Sequence, residues 1–187
     1  MAHGDSESDA VLSSPKARQG ASSLRRPPTA AERYHINAAL GRALWKLQYV
    51  EDALATYLTM RLKLKQGTTL EKGFAMLADQ RKRPFGQLVT EACNAGIVDA
   101  EIDTVLNRFV AERNWLVHRS MSEYDEAVYT HEGRESLVMR LSFLEENAGT
   151  LQRAVYNLLA TWLSKNGFDV DAVEKAGETQ YRRLSGL

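Results

Sequence analysis

From Ile36 the apolar residues Leu40, Leu44, Leu47, Val50, Leu54, Leu58 and Leu62 recur at steps of three and four. That is the period of one face of a long α-helix. Thr29-x-x-Glu32 opens it as a capping box, and Gly67 is where it should stop. Gly41, inside the stripe, marks close helix packing, and Trp45, Tyr49 and Tyr57 read as packing residues. A second capping box, Thr68-x-x-Glu71, starts a short helix through Phe74, Leu77 and Ala78. Pro84 breaks it, and a third helix carries Leu88, Val89 and Ala92 as far as Gly96. Asp99 caps a fourth, with Ile102, Leu106, Phe109, Val110, Trp115, Leu116 and Val117 as burial candidates.

The most regular seam lies near the end of the chain. Leu137, Leu141, Leu144, Ala148, Leu151, Val155, Leu158 and Trp162 alternate steps of four and three up to a stop at Gly167, suiting antiparallel packing in a bundle or across a dimer. Met121 to Gly133 reads as a polar loop, with a small hairpin at Ala127-Val128-Tyr129 as the alternative. Asp169 or Asp171 would cap a final short helix to Leu184. No segment sustains strand alternation. The pattern therefore predicts an all-α protein, an antiparallel helical bundle of four to six helices over residues 29–167, with a short C-terminal helix over 168–187.

Residues 1–28 interrupt this picture. They are rich in Ser, Gly and Pro and poor in large apolar groups, so they predict a disordered tail. Lys plus Arg equals Asp plus Glu over the 187 residues, so no global field draws the protein to nucleic acid or an anionic membrane. Any such contact must come from a local patch. The single cysteine, Cys93, excludes an intramolecular disulfide and reads as a small buried helix residue. No His/Cys cluster suggests a metal site, no Gly-rich loop suggests a nucleotide cofactor, and none is expected. The absence of a long apolar run predicts a cytoplasmic protein without membrane contact.

Candidate chemistry is concentrated in Arg113-Asn114-Trp115-Leu116-Val117-His118. Asn114 and His118 are four apart and share a helix face, while Arg113 sits about 100° round and must curl to join them. A guanidinium can grip a phosphate through paired N–H groups, and an imidazole can move a proton near neutral pH. Together they suit metal-free cleavage of RNA. The plainer alternatives are an exposed ion pair for Arg113 and a helix-terminal histidine favoured by the dipole for His118. Arg119, and the run Arg81, Lys82 and Arg83, are candidate RNA-backbone contacts; that run also fits a solvated turn before Pro84. His3, His35 and His131 have no partners at informative spacing.

The Arg-Asn-x-x-x-His segment resembles the signature of the HEPN superfamily (higher eukaryotes and prokaryotes nucleotide-binding). The wider order of elements over roughly residues 29–165, including Phe85-Gly86-Gln87-Leu88 at a helix start, is similar to small bacterial members. The resemblance implies a helical bundle that dimerises so that two copies of the motif share a cleft. It implies a metal-independent endoribonuclease of toxin or phage-defence type, with Arg113, Asn114 and His118 catalytic, RNA as substrate, and an antitoxin or regulatory protein as a partner. Two other readings stay open: a non-catalytic HEPN-like module binding RNA, a nucleotide or a partner, and a structural bundle dimerising through the Leu137–Trp162 seam.

Overall fold

A computed structural model describes residues 25–168 together with Asp171 and Lys175. They form α1 (Ala30–Leu58), α2 (Leu70–Arg81), α3 (Phe85–Asn94), α4 (Ala100–His118), α5 (Ser120–Tyr124) and α6 (His131–Lys165), with no strand among the described residues. The protein is an all-α bundle, as its apolar periodicity requires. The expected tail over 1–24 and most of the expected helix over 168–187 lie outside the described residues; Asp171 and Lys175 are helical.

α1 begins where its capping box places it. The Thr29 hydroxyl accepts from the Glu32 N–H at 3.2 Å, and the Glu32 carboxylate accepts from the Thr29 N–H at 2.7 Å. The chain is held from Arg25 rather than from Thr29, which shortens the expected tail. Arg26 donates both terminal N–H groups to Glu32 at 2.7 Å, and its backbone N–H reaches the Tyr129 carbonyl at 2.8 Å. Those bonds, with Thr29, hold the Glu32 carboxyl well below the usual carboxylate range. At its far end α1 widens into a π turn, Thr59–Lys63, in which the Leu64 N–H donates to the Thr59 carbonyl at 3.1 Å.

The three long helices run up, down and up, which makes the first and third parallel. Glu32 meets Arg134, Arg42 meets Glu145 and Arg61 lies over Trp162, so α1 and α6 advance together. α4 packs on α3 and α6 and returns in the opposite sense: Glu112 meets Arg140 near the start of α6, while Ile102 and Leu151 border one cleft, and Arg113 reaches Glu51 of α1. The antiparallel arrangement thus holds for α4 and is corrected for the α1–α6 pair. The α6 seam from Leu137 to Val155 is buried. The α1–α6 pairing within one chain occupies it, so that seam is not a surface for a second copy.

The inward face of α1 differs from the leucine stripe in its first half. Ala39 and Ala43 are buried there, while Leu40 and Leu44 are 38% and 41% exposed. Alanines allow the α6 backbone close, and α4 packs on α3 and α6 rather than along α1, so it does not cover Leu40 and Leu44. Trp45 and Tyr49 are exposed too, whereas Tyr57 is buried as expected. Gly41 marks no close approach, since a Cβ there would meet nothing within 4 Å.

The shorter elements hold the frame. The cap of α2 is Thr69, whose hydroxyl accepts from Lys72, not Thr68, which closes the preceding turn by accepting from the Lys65 N–H. α3 buries Phe85, Leu88, Val89 and Ala92 and packs Phe85 edge-on against Phe109 of α4 at 5.9 Å. It ends at Gly96, whose φ of +60° is the left-handed value that favours glycine. The expected loop before α6 instead holds α5 and a 3-10 turn, Ala127–Tyr129, so no hairpin forms. α6 starts at His131 under the Thr130 cap, earlier than its leucines suggest.

Cys93 lies half-buried on α3, and its thiol donates to the Asp103 carboxylate at 2.7 Å. Burial first, then that anionic neighbour, push the thiol pKa up to about 11. The thiolate is the reactive form. Native protein at pH 8 should therefore react with iodoacetamide far more slowly than denatured protein; equal rates by mass spectrometry would contradict this geometry.

Candidate functional site

The motif occupies the last turns of α4. Trp115 and Leu116 point into the core, while Asn114, Val117, His118 and Arg119 are exposed. The alternation follows from the helical period: two large apolar groups anchor the turn, and the residues on either side are left facing solvent. Trp115 is held on several sides. Its indole N–H donates to Glu123 at 2.8 Å, Tyr124 meets its ring edge-on at 6.2 Å, and the Arg140 guanidinium lies 3.5 Å from its ring centroid. Arg140 in turn donates to Glu123 at 2.9 Å and Glu112 at 3.5 Å. A desolvated cation over an indole contributes on the order of 1–2 kcal/mol. The network rigidifies the end of α4, and Glu112, Glu123, Tyr124 and Arg140 have no spacing that would reveal it in the sequence.

Arg113 turns toward α1. Its Nε donates to Glu51 at 3.1 Å, and both side chains are about two-thirds buried, being 28% and 31% exposed. Glu51 engages only Nε, and the two Nη groups have no hydrogen-bond partner among the described residues. The guanidinium is thereby oriented with its paired donors available for a phosphate. Asn114 and His118 share the exposed face, and no protein group among the described residues engages either side chain. Arg119 ends α4, its backbone N–H donating to the Trp115 carbonyl at 2.8 Å, and its guanidinium has no partner among the described residues.

The Arg81–Lys82–Arg83 run is not a free cationic strip. Arg81 pairs with Asp52 on α1, Lys82 with Asp79 at 2.9 Å, and Arg83 with Glu91. The run does reach the Arg113 side of the molecule. Glu51 and Asp52 are adjacent on α1, and both line a cavity of about 350 Å³ with Gln48, Tyr49, Arg81, Arg83 and Leu88. Glu51 therefore joins two candidate groups that lie about thirty residues apart in the chain. A second cleft, about 670 Å³, opens between the starts of α1 and α6 and is bordered by His35, His131 and Arg134. No spacing in the sequence links those histidines.

Glu91 gathers three donors. Burial pushes its carboxyl up, but hydrogen bonds from Lys63 at 2.9 Å, Gln80 at 2.8 Å and Arg83 outweigh burial and hold it below the usual carboxylate range. Glu32 is lowered as well. A carboxyl whose folded pKa lies below its unfolded value contributes stability that is complete above the unfolded pKa and is lost as pH falls through the folded one. The melting temperature should thus be flat from pH 7 to about 5 and fall below about pH 4. Glu91→Gln should shrink that fall in thermal scans across pH; an unchanged slope would show that Glu91 is not one of its sources.

No protein-family model, curated protein or solved structure matches this chain. Among the described residues, no helix is long and apolar enough to cross a membrane. Nor do three or more His, Cys, Asp or Glu side chains come together there as a set that could hold a metal ion.

Proposed function

We propose that this protein is a HEPN-like, metal-independent endoribonuclease of the toxin or phage-defence kind, whose working cleft is completed by a second copy of the chain. The observation that carries the reading is that the last turns of α4 hold both an exposed, unengaged His118 and an Arg113 whose Nε is fixed by Glu51 and whose Nη donors are open. His118 takes the proton from a ribose 2′-OH, and the oxygen attacks the adjacent phosphorus. Arg113 stabilises the charge on the non-bridging oxygens, and Asn114 hydrogen-bonds the same phosphate. The P–O5′ bond breaks, and the second copy's imidazole protonates the departing oxygen. The products are a 2′,3′-cyclic phosphate and a free 5′-OH.

The exposed Val117 and Met121 flank His118 in sequence and support a face between copies at this end of α4. A second reading is a non-catalytic RNA- or partner-binding regulator. It is favoured by the carboxylates on Arg113, Arg81 and Arg83, which reduce the positive potential available to a transition state. RNA incubated with purified protein and EDTA separates the two. Cyclic-phosphate ends support the nuclease, and intact RNA retained by the protein supports the regulator.

A further inference from the structure

Two large aromatic side chains stand out on the solvent side of α1. Trp45 is 62% exposed and Tyr49 46%, and their ring centroids are 6.2 Å apart with a tilt of 36°. Lys46 sits 6.0 Å from the Tyr49 ring. Tyr49 also forms one wall of the 350 Å³ cavity whose other walls include Gln48, Asp52, Arg81 and Arg83. Arg81 uses Nε to hold Asp52, and its Nη groups have no partner among the described residues. The same cavity touches Glu51, the residue that orients Arg113.

We infer that this surface binds unpaired bases of a single-stranded RNA, with one base stacked on Trp45 and Tyr49 and its flanking phosphate on Arg81 and Arg83. The inference rests on the reading that the neighbouring Arg113–His118 site takes RNA, and names the form in which the RNA arrives. Stacking is the grip a neutral chain needs. Here Lys46, Lys63, Arg81, Arg83 and Arg113 face Glu51, Asp52 and Glu91, an excess of two positive charges, too little to hold a duplex backbone by charge alone. A base offers a flat face to exposed rings regardless of its identity, and Gln48 with Asp52 supplies donors and acceptors for its edge. The surroundings fit a protein partner less well, because Lys, Asp and Gln crowd the rings where the centre of a protein interface is depleted in charge.

The test is a titration of the full-length protein with a single-stranded 2′-O-methyl oligouridine of roughly ten nucleotides, which blocks the 2′ nucleophile. Tryptophan fluorescence should be quenched, and Trp45→Phe should remove most of that quenching. Trp45→Ala and Tyr49→Ala should each weaken binding about tenfold by anisotropy, and the double variant more. Tyr34→Ala, an exposed aromatic change near the start of α1, should leave binding unaltered. Unchanged affinity in both ring variants, or quenching that persists in Trp45→Phe, overturns the inference. So does self-association abolished by Trp45→Ala with no oligonucleotide quenching, which would make the rings a face between copies. Cleavage of RNA with unaltered ring variants sinks only the stacking surface. Ring-dependent binding without any cleavage sinks only the nuclease.

Discussion

Substituting His118 by alanine should abolish RNA cleavage, with a loss of about 10²–10⁴-fold or more in rate, while the fold stays intact. The side chain is exposed at the last residue of α4, and no described group bonds to it, so removing it leaves no cavity and no orphaned partner. Melting temperature and helical circular dichroism should therefore match the parent protein. His118→Gln keeps hydrogen bonding but cannot carry the proton, and should be as inactive as the alanine variant. Arg113→Ala should lose activity too, with about 1–2 kcal/mol of stability lost as the half-buried Glu51 loses its donor. Full cleavage by His118→Ala, with cyclic-phosphate ends unchanged, would remove this protein from metal-independent ribonucleases of this design.

The largest expected effect on stability lies at Gly133. A Cβ at that position would stand 2.0 Å from the carbonyl oxygen of Ala127, 2.6 Å from its carbon and 2.9 Å from its Cα. These are backbone atoms of the 3-10 turn Ala127–Tyr129, so no side chain can swing away. The turn is fixed in its own right: Arg134 donates to the Val128 carbonyl at 2.9 Å, and Tyr129 accepts from the Arg26 N–H. Gly133→Ala should cost about 2–4 kcal/mol in denaturant unfolding, against the slight gain alanine brings inside an open helix. Gly41→Ala is the control, since a Cβ there meets only solvent; it should stabilise by up to about 1 kcal/mol. Equal effects at the two glycines would mean that the start of α6 is not packed on that turn.

Much of this fold is legible in the order of residues. The capping box at Thr29, the Asp99 cap, the stops at Gly96 and Gly167 and the α6 seam all stand where local pattern puts them. These features depend on interactions within a few residues, which is why spacing reveals them. Leu40 and Leu44 show where that logic stops. They extend the stripe without a break, but whether a leucine is buried depends on what lies opposite, and Ala39 and Ala43 take the inward positions instead. The candidate site divides along the same line. Arg113, Asn114 and His118 are visible as a motif, whereas Glu51 and the ring of groups on Trp115 are brought in from other helices.

The chain's linear pattern alone determined the long helices, the Thr29 and Asp99 caps and the turn that carries an arginine, a carboxamide and an imidazole, since each is set by neighbours within one or two helical turns. Tertiary packing decided the rest: that α1 and α6 run parallel, that Glu51 holds Arg113 by one nitrogen, and that Trp45 and Tyr49 stay in solvent beside an arginine-lined cavity. Those outcomes depend on which helix faces which across roughly thirty to a hundred residues of chain, and local spacing carries no record of that choice.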